Sequence, residues 1–467
     1  MRNQPEARAG RRCFRLMQAV VAAVFLCAAR DSRAASPAAG MEGFYIGTYT
    51  SGSSKGIYQA SLNLDTGVAG PTNLAGTATN SSFLAMHPGH KLLYAVMDQT
   101  AGNVVAFSID STKTNLTKLN QLPSNGDNPV YVTVDKAGTS VLTANYNSGS
   151  VTVLSILADG SLGSQTAHIQ HSSSPTPHAH CVVLDPSNNF ALVCDLGQDR
   201  IYSYHFDPAQ GTLTTNNPPW APVQTGSGPR HLAFDPQGRR AYVICEVSNT
   251  IIAFNYNAQT GVLSPFQTNT TLPAGRLAAN NAAAEIVMHP SGKFIYGSNR
   301  SNNSSGTNSV VVYSVDPSSG ALTMIQQVPT GPSGQKNPRN FALDPTGAFC
   351  IVANQYLNNI LLFSIDPGTG LLTQKPQTLT FNSPVCVQPF FTQPPQPVLG
   401  MPSVVNNTLQ IGIGNGCSAL IYQFFQAPAL TSNPAWTLLS SGACGQTNFI
   451  LTNNQPQAFL RALVTNY

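Results

Sequence analysis

Cys181-Val-Val-Leu-Asp185-Pro and His231-Leu-Ala-Phe-Asp235-Pro stand 50 residues apart and follow one pattern. The same block appears outward from them as Phe83-Leu-Ala-Met-His87-Pro, Tyr131-Val-Thr-Val-Asp135, Glu285-Ile-Val-Met-His289-Pro and Asn340-Phe-Ala-Leu-Asp344-Pro. Successive Asp or His anchors are 48, 50, 50, 54 and 55 residues apart. Behind each anchor come a turn and two apolar-alternating runs, such as Arg240-Ala-Tyr-Val-Ile-Cys-Glu246 and then Thr250-Ile-Ile-Ala-Phe-Asn-Tyr256. A period of this length with several short strands per unit predicts an all-β propeller, one four-stranded blade per repeat.

Six whole repeats are visible. The chain before them has the later strands of a blade (Phe44 to Thr50, then Gly56 to Leu62) but no first strand. The chain after them has one apolar strand, Pro384 to Phe390. Joining the two gives a seventh blade, so the ring closes by strand exchange between its ends and leaves no sheet edge exposed. The expected propeller covers residues 43–390. The recurring Asp-Pro and His-Pro anchors are read as turn caps.

The first 34 residues read as a signal peptide: a start rich in Arg, an apolar run from Leu16 to Ala29, and a small-residue site near Ala34. That run is short for a membrane span, so no stable span is expected once the leader is cleaved. Arg11-Arg12-Cys-Phe14 loosely resembles a twin-arginine export signal. The leader holds 7 of the 23 bases and 2 of the 19 acids, which leaves 16 and 17. The remaining chain is near neutral, and its lack of a basic face argues against nucleic-acid binding. An exported protein, periplasmic or extracellular, is expected.

Residues 391–467 are different material. They hold no Asp, Glu or Lys, and Arg461 is their only base. A Pro-rich linker precedes apolar runs that suggest a small C-terminal β module, suited to docking on the propeller, surface attachment or glycan contact. Export would favour a disulfide between Cys417 and Cys444. Cys181, Cys194, Cys245, Cys350 and Cys386 fall inside strand patterns and read as buried small hydrophobes.

Charged residues at inner-strand positions of a propeller must be solvated, paired or functional. Few exist here. Thr176-Pro-His178-Ala-His180 opens one repeat and Gly228-Pro-Arg230-His231 the next, with Glu246 sixteen residues after Arg230. Arg300 ends the corresponding strand of the following repeat, and Arg339 opens the last. Equivalent blade positions share radius and height, so His180, Arg230, Glu246 and Arg300 are candidates to converge. Such a set suits an anionic or lactone substrate: guanidiniums hold a carboxylate or oxyanion, while His or Glu moves a proton. His178, Asp195 and Arg339 are the candidate substrate-binding groups. Asp199 and Arg200 read as a turn with its own ion pair. No residue set has metal-ligand spacing, and no metal or cofactor is expected.

At these residues the chain resembles the seven-bladed lactonase family, which includes the propeller-type 6-phosphogluconolactonases and the fungal carboxy-muconate lactonizing enzymes. The resembling stretches include Ile46-Gly-Thr-Tyr-Thr50, Asn80-Ser-Ser-Phe-Leu-Ala85, Ala144-Asn-Tyr-Asn147, Pro177-His-Ala-His180, Gly228-Pro-Arg-His231 and Asn337-Pro-Arg-Asn-Phe341. The resemblance implies that the His, two Arg and Glu of the lactonizing enzymes fall on His180, Arg230, Arg300 and Glu246. It departs at Val130-Tyr131, where the family often has a His, and the tail lies outside it. It implies a carboxylic-ester hydrolase acting on a small lactone, 6-phosphogluconolactone-like or other. An exported chain would not normally meet a phosphorylated cytoplasmic lactone. A cycloisomerase on an unsaturated dicarboxylate and a non-catalytic binding propeller are the alternatives. The roles of His180 and Glu246 as acid or base stay open.

Overall fold

The computed structural model describes residues 41–391, Ser173 excepted, and short strands between Val398 and Thr465. The leader, the Pro-rich linker, Cys417 and Cys444 lie outside the described residues.

Residues 41–391 form a seven-bladed β-propeller of antiparallel sheets. Blade 1 is the closing blade, and blades 2 to 7 follow in chain order. Their inner strands are Leu84–Met86, Pro129–Val134, Ala179–Leu184, Pro229–Phe234, Asn281–Met288 and Asn340–Leu343. The second strands are largely buried, and Phe190–Asp195 and Phe349–Asn354 are buried at every position. They are covered on both faces by neighbouring blades, which is why they read as continuous apolar runs. Outer strands such as Leu372–Thr380 alternate instead, because one face meets solvent. A 3-10 turn at Ala278–Asn280 is the only helical piece among the described residues.

Closure joins the two ends of the propeller sequence. Met41–Thr48 pairs antiparallel with Pro384–Phe391, placing Phe44 opposite Pro389 and Ile46 opposite Val387. The closed blade then binds both neighbours. Phe44, Ile46 and Val387 pack with Phe349, Ile351 and Leu362 of blade 7. Tyr45, Cys386 and Phe390 pack with Leu84, Leu93 and Val105 of blade 2. The Phe390 ring lies 4.5 Å from that of Tyr45. It also rests on Gly43, where a Cβ would come within 2.4 Å of it.

The repeated anchors cap turns. Asp185 Oδ1 accepts the backbone N–H groups of Asn189 and Phe190, both at 2.8 Å, and Asp235 Oδ1 does the same for Arg239 and Arg240. The two His anchors reach to the next blade, where His87 meets Gly138 O and His289 meets Gly347 O. The five cysteines of the propeller strands are free and buried.

The ion pair expected between Asp199 and Arg200 does not form. Asp199 instead accepts the backbone N–H groups of Gly226 and Gly228, both at 2.7 Å, and so ties the blade 4 turn to the entry of blade 5. The Arg200 guanidinium lies over the Trp220 ring at 4.3 Å. Both groups find partners pre-placed by the sheet, which a flexible local ion pair does not offer.

The described strands after residue 391 form a unit of their own with two small antiparallel sheets. In one, Thr408–Gly414 pairs with Val398–Leu399, Ser403–Val405 and Asn448–Leu451. In the other, Ile421–Ala427 lies between Thr437–Gly442 and Phe459–Thr465.

Candidate active site

Strand register decides which side chains leave the blades. In blade 4, Ala179 pairs with Asp195 while Cys181 pairs with Cys194, so His180 is an extra residue. In blade 5, Pro229 pairs with Cys245 while His231 pairs with Ile244, so Arg230 is extra. In blade 6 the same slip falls between Ala283 and Ile286, at Ala284–Glu285. A β-bulge re-aims its side chain and bends the strand, and bulges concentrate beside active sites. The second recurring position follows the last residue of the second strand that pairs with the third. There Tyr146, Glu246 and Arg300 follow Asn145, Cys245 and Asn299.

These positions bring Arg230, Glu246 and Arg300 into contact. Arg230 Nε lies 2.9 Å and Arg300 Nη2 2.8 Å from the same Glu246 oxygen, Oε2. Backbone carbonyls anchor the guanidiniums from behind. Arg230 Nη1 donates to Ala284 O at 2.7 Å, and Arg300 Nη2 to Ala283 O at 3.1 Å. The guanidiniums are nearly buried, whereas the Glu246 side chain is 27% exposed and is the open member of the group. Burial opposes ionisation of Glu246, but Arg300, Arg230 and Arg339 hold its carboxyl below the usual range. Burial and the like charge of Arg300 push Arg230 down to about 10. Glu246 and Arg230 are therefore both charged at neutral pH.

His180 joins them. It is 5% exposed, and its Nδ1 is buried with no hydrogen-bond partner among the described residues. Burial, then Arg230, His231, Arg339 and Arg300, push its pKa well below the ordinary histidine value. The ring is therefore a neutral imidazole at pH 7, able to take up a proton. Tyr146 packs edge-on against it at 5.5 Å and stacks on His178 at 4.5 Å. His178 is half-buried, and its Nδ1 meets Tyr146 O at 3.1 Å.

The Arg339 guanidinium lies over the Tyr49 ring at 5.5 Å and makes no side-chain hydrogen bond or ion pair among the described residues. Tyr49 donates to Asp98 Oδ2 at 2.7 Å, and Asn128 Nδ2 to Asp98 Oδ1 at 2.9 Å. Burial opposes the charge on Arg339, yet Tyr49, Asp98 and Glu246 hold its pKa above the usual value.

Asp195 does not present a free carboxylate. It is fully buried, with Oδ2 at 2.5 Å from His171 Nδ1. Its Oδ1 accepts the N–H groups of His178 at 2.8 Å and Gln198 at 3.0 Å. The reason is register: Asp195 is the last paired residue of its strand, one position before the place Glu246 occupies, and successive residues point to opposite faces. Asp195 therefore braces the turn that carries His178.

Sequence reading passed over two more groups. His231 and Glu285 lie directly behind Arg230, with His231 Nδ1 at 2.7 Å from Glu285 Oε1. Glu285 was detectable as a carboxylate opening the repeated block Glu285-Ile-Val-Met-His289-Pro. Its pairing with His231, 54 residues away, was not.

Among the described residues, no group of three or more His, Cys, Asp or Glu is arranged to hold a metal ion. No helix among them is long and apolar enough to cross a membrane. A separate cleft of about 480 Å³, lined by Thr50, Lys55, Thr77 and Lys118 among others, contains none of the residues of this cluster.

The seven-bladed ring thus carries a largely buried cluster of His, Arg and Glu side chains. The family described as "Lactonase, 7-bladed beta-propeller" matches residues 43–389, and the chain belongs to that family. It is thereby a carboxylic-ester hydrolase of the lactone-hydrolysing class. A 6-phosphogluconolactonase of Bacillus subtilis is 35% identical over 352 residues, covering 74% of this chain and 97% of the relative. A 6-phosphogluconolactonase of Formosa agariphila is 31% identical over 359 residues, covering 74% and 99%. Among solved structures, the periplasmic gluconolactonase of Pseudomonas aeruginosa superposes with a TM-score of 0.70. It is 28% identical and covers 76% of this chain and all of that one.

Proposed function

We propose that the protein hydrolyses a small sugar-derived lactone at the mouth of the propeller channel, with His180 carrying the proton and Arg230, Arg300 and Glu246 forming the carbonyl and water site. One observation carries this reading. Both guanidiniums contact Oε2 of Glu246, while Glu246 Oε1, Arg230 Nη2 and Arg300 Nη1 make no hydrogen bond among the described residues. A fixed acceptor and two fixed donors are thus left for a ligand.

Water held by Glu246 Oε1 attacks the lactone carbonyl carbon, and His180 accepts its proton. The C=O electron pair moves to oxygen, where the free nitrogens of Arg230 and Arg300 stabilise the oxyanion. Collapse breaks the ring C–O bond, and the leaving oxygen takes the proton back from His180. Lactone plus water gives one hydroxy acid. Arg339, together with His178, holds the ring hydroxyls or an acidic substituent at the far end. Arg is suited to that task by its forked donors.

The relatives' names favour a 6-phosphogluconolactone-like substrate. The Arg-rich start and apolar run of residues 1–34 favour export, and with it an unphosphorylated aldonolactone. A pH-stat assay of the purified protein on 6-phosphogluconolactone, glucono-δ-lactone and a γ-lactone tests both points. Acid release from at least one, beyond the spontaneous rate, is expected. No release from any of the three sinks the reading.

A further inference from the structure

The chemistry above leaves His231 and Glu285 unused, although both are almost fully buried behind Arg230. His231 Nδ1 sits 2.7 Å from Glu285 Oε1, and His231 Nε2 sits 3.3 Å from Arg230 Nη1. Glu285 also accepts Ile286 N–H on Oε1 at 3.0 Å and Asn340 Nδ2 on Oε2 at 2.5 Å. Asn340 is fixed in turn, since its Oδ1 accepts Val387 N–H of the closing strand at 2.8 Å.

We propose that Glu285 and His231 form a dyad that positions Arg230, by locking His231 in the Nδ1–H tautomer so that Nε2 accepts from the guanidinium. The donor inventory leaves one consistent assignment. A carboxylate surrounded by donors accepts only, so His231 Nδ1 must carry hydrogen. A guanidinium donates only, so Nε2 must not. An imidazolium has no acceptor and would face Arg230 with like charge. Burial opposes ionisation of Glu285, but His231 and Arg230 hold its carboxyl below the usual range. Burial lowers the His231 pKa overall, against the pull of Glu285. The groups facing His231 are Glu285, Arg230 and Arg339, with the His180 ring at 5.0 Å and the Tyr131 ring at 5.2 Å. Glu285 and His231 are thus positioning residues that fix one arm of the oxyanion site through Arg230. Their proposed effect on rate rests on the lactone reading above.

The test has a spectroscopic arm and a rate arm. In ¹⁵N-histidine NMR at pH 7, with His231 assigned by its loss in His231→Phe, a protonated Nδ1 and a bare Nε2 are expected. An Nε2–H or doubly protonated ring overturns the proposal. In Glu285→Gln the new amide must set donor against donor, at Asn340 Nδ2 or at Ile286 N–H and His231. The tautomer population should shift and kcat/KM fall by about 10²-fold. Adding Asn340→Asp gives the amide an acceptor and should restore both the Nδ1–H signal and the rate to within about 10-fold. Wild-type rate with an unchanged His231 signal in Glu285→Gln overturns the proposal, and so does a stable double variant that regains neither. A wild type inactive on every lactone, but with the predicted tautomer, retires the lactone reading and leaves the dyad standing.

Discussion

Arg230 and Arg300 meet on one oxygen of Glu246, at 2.9 and 2.8 Å, although they come from strands of two different blades. The carboxylate is the charge that allows two nearly buried guanidiniums to sit together. Removing one partner of a buried ion pair costs much more than the pair itself gains, because the remaining charges are left uncompensated. Glu246→Gln should therefore both loosen the site and slow it. A fall in kcat/KM of about 10²-fold is expected from misplacement of the guanidiniums. Steady-state kinetics on the best lactone checks it, and a variant with unchanged kcat/KM would contradict the triad.

The acid limb of activity should follow His180. Burial and the surrounding Arg side chains depress its pKa, so the neutral ring persists below the ordinary histidine value of 6.5. Activity needs the neutral form. It should be flat around pH 7 and fall only as pH drops through the depressed value, well below 6.5. A kcat/KM profile on background-corrected rates measures this, and a limb centred above 6.5 contradicts the base assignment. Stability has the same sign. The unfolded chain takes up protons near 6.5 while the folded one resists, so this contribution is lost as pH falls through that window.

Glu42 predicts the opposite slope. It is fully buried, and burial, then the charge of nearby Asp344 and a hydrogen bond with it, hold its pKa well above 4.5. The folded state keeps a proton that the unfolded chain releases. Its contribution is therefore present below about pH 4.5 and is lost as pH rises through the raised folded value. Glu42→Gln fixes the neutral form. Thermal melts should show a gain in Tm at pH 8 and little change at pH 4.5. An equal shift at both values would contradict the buried-proton account.

Phe390 tests the closure. Its ring packs on Tyr45 and covers Gly43, in the blade whose strands come from both ends of the propeller sequence. Phe390→Ala should cost about 3–5 kcal/mol, the usual range for losing a buried aromatic ring. Urea unfolding gives the number, and a loss under about 1 kcal/mol would show that the ends contribute little to the ring.

The propeller was legible because its repeat is written in residue types that the blades need. Asp185 and Asp235 cap equivalent turns 50 residues apart, and the runs behind them are apolar on both faces. The missing first strand before Phe44 and the lone strand at Pro384 were enough to predict closure. His180, Arg230, Glu246 and Arg300 were legible as rare charges at blade positions. Asp195 misled because its offset from its anchor is one residue shorter than that of Glu246, ten against eleven. In a strand, one residue turns the side chain to the other face. The slips at His180 and Arg230, the contact of His231 with Glu285 and the stacking of Arg200 on Trp220 depend on pairing between distant segments. No local pattern encodes them.

Arg300→Ala offers the most direct test, because the account gives Arg300 one arm of the oxyanion site and no part in the ring's closure. The measurement is its kcat/KM for the best lactone in a pH-stat, relative to wild type, with the two proteins matched in thermal stability. A loss of about 10²–10³-fold is predicted, the range for removing one oxyanion donor. A variant that hydrolyses the lactone at the wild-type rate would contradict the assignment of catalysis to this cluster.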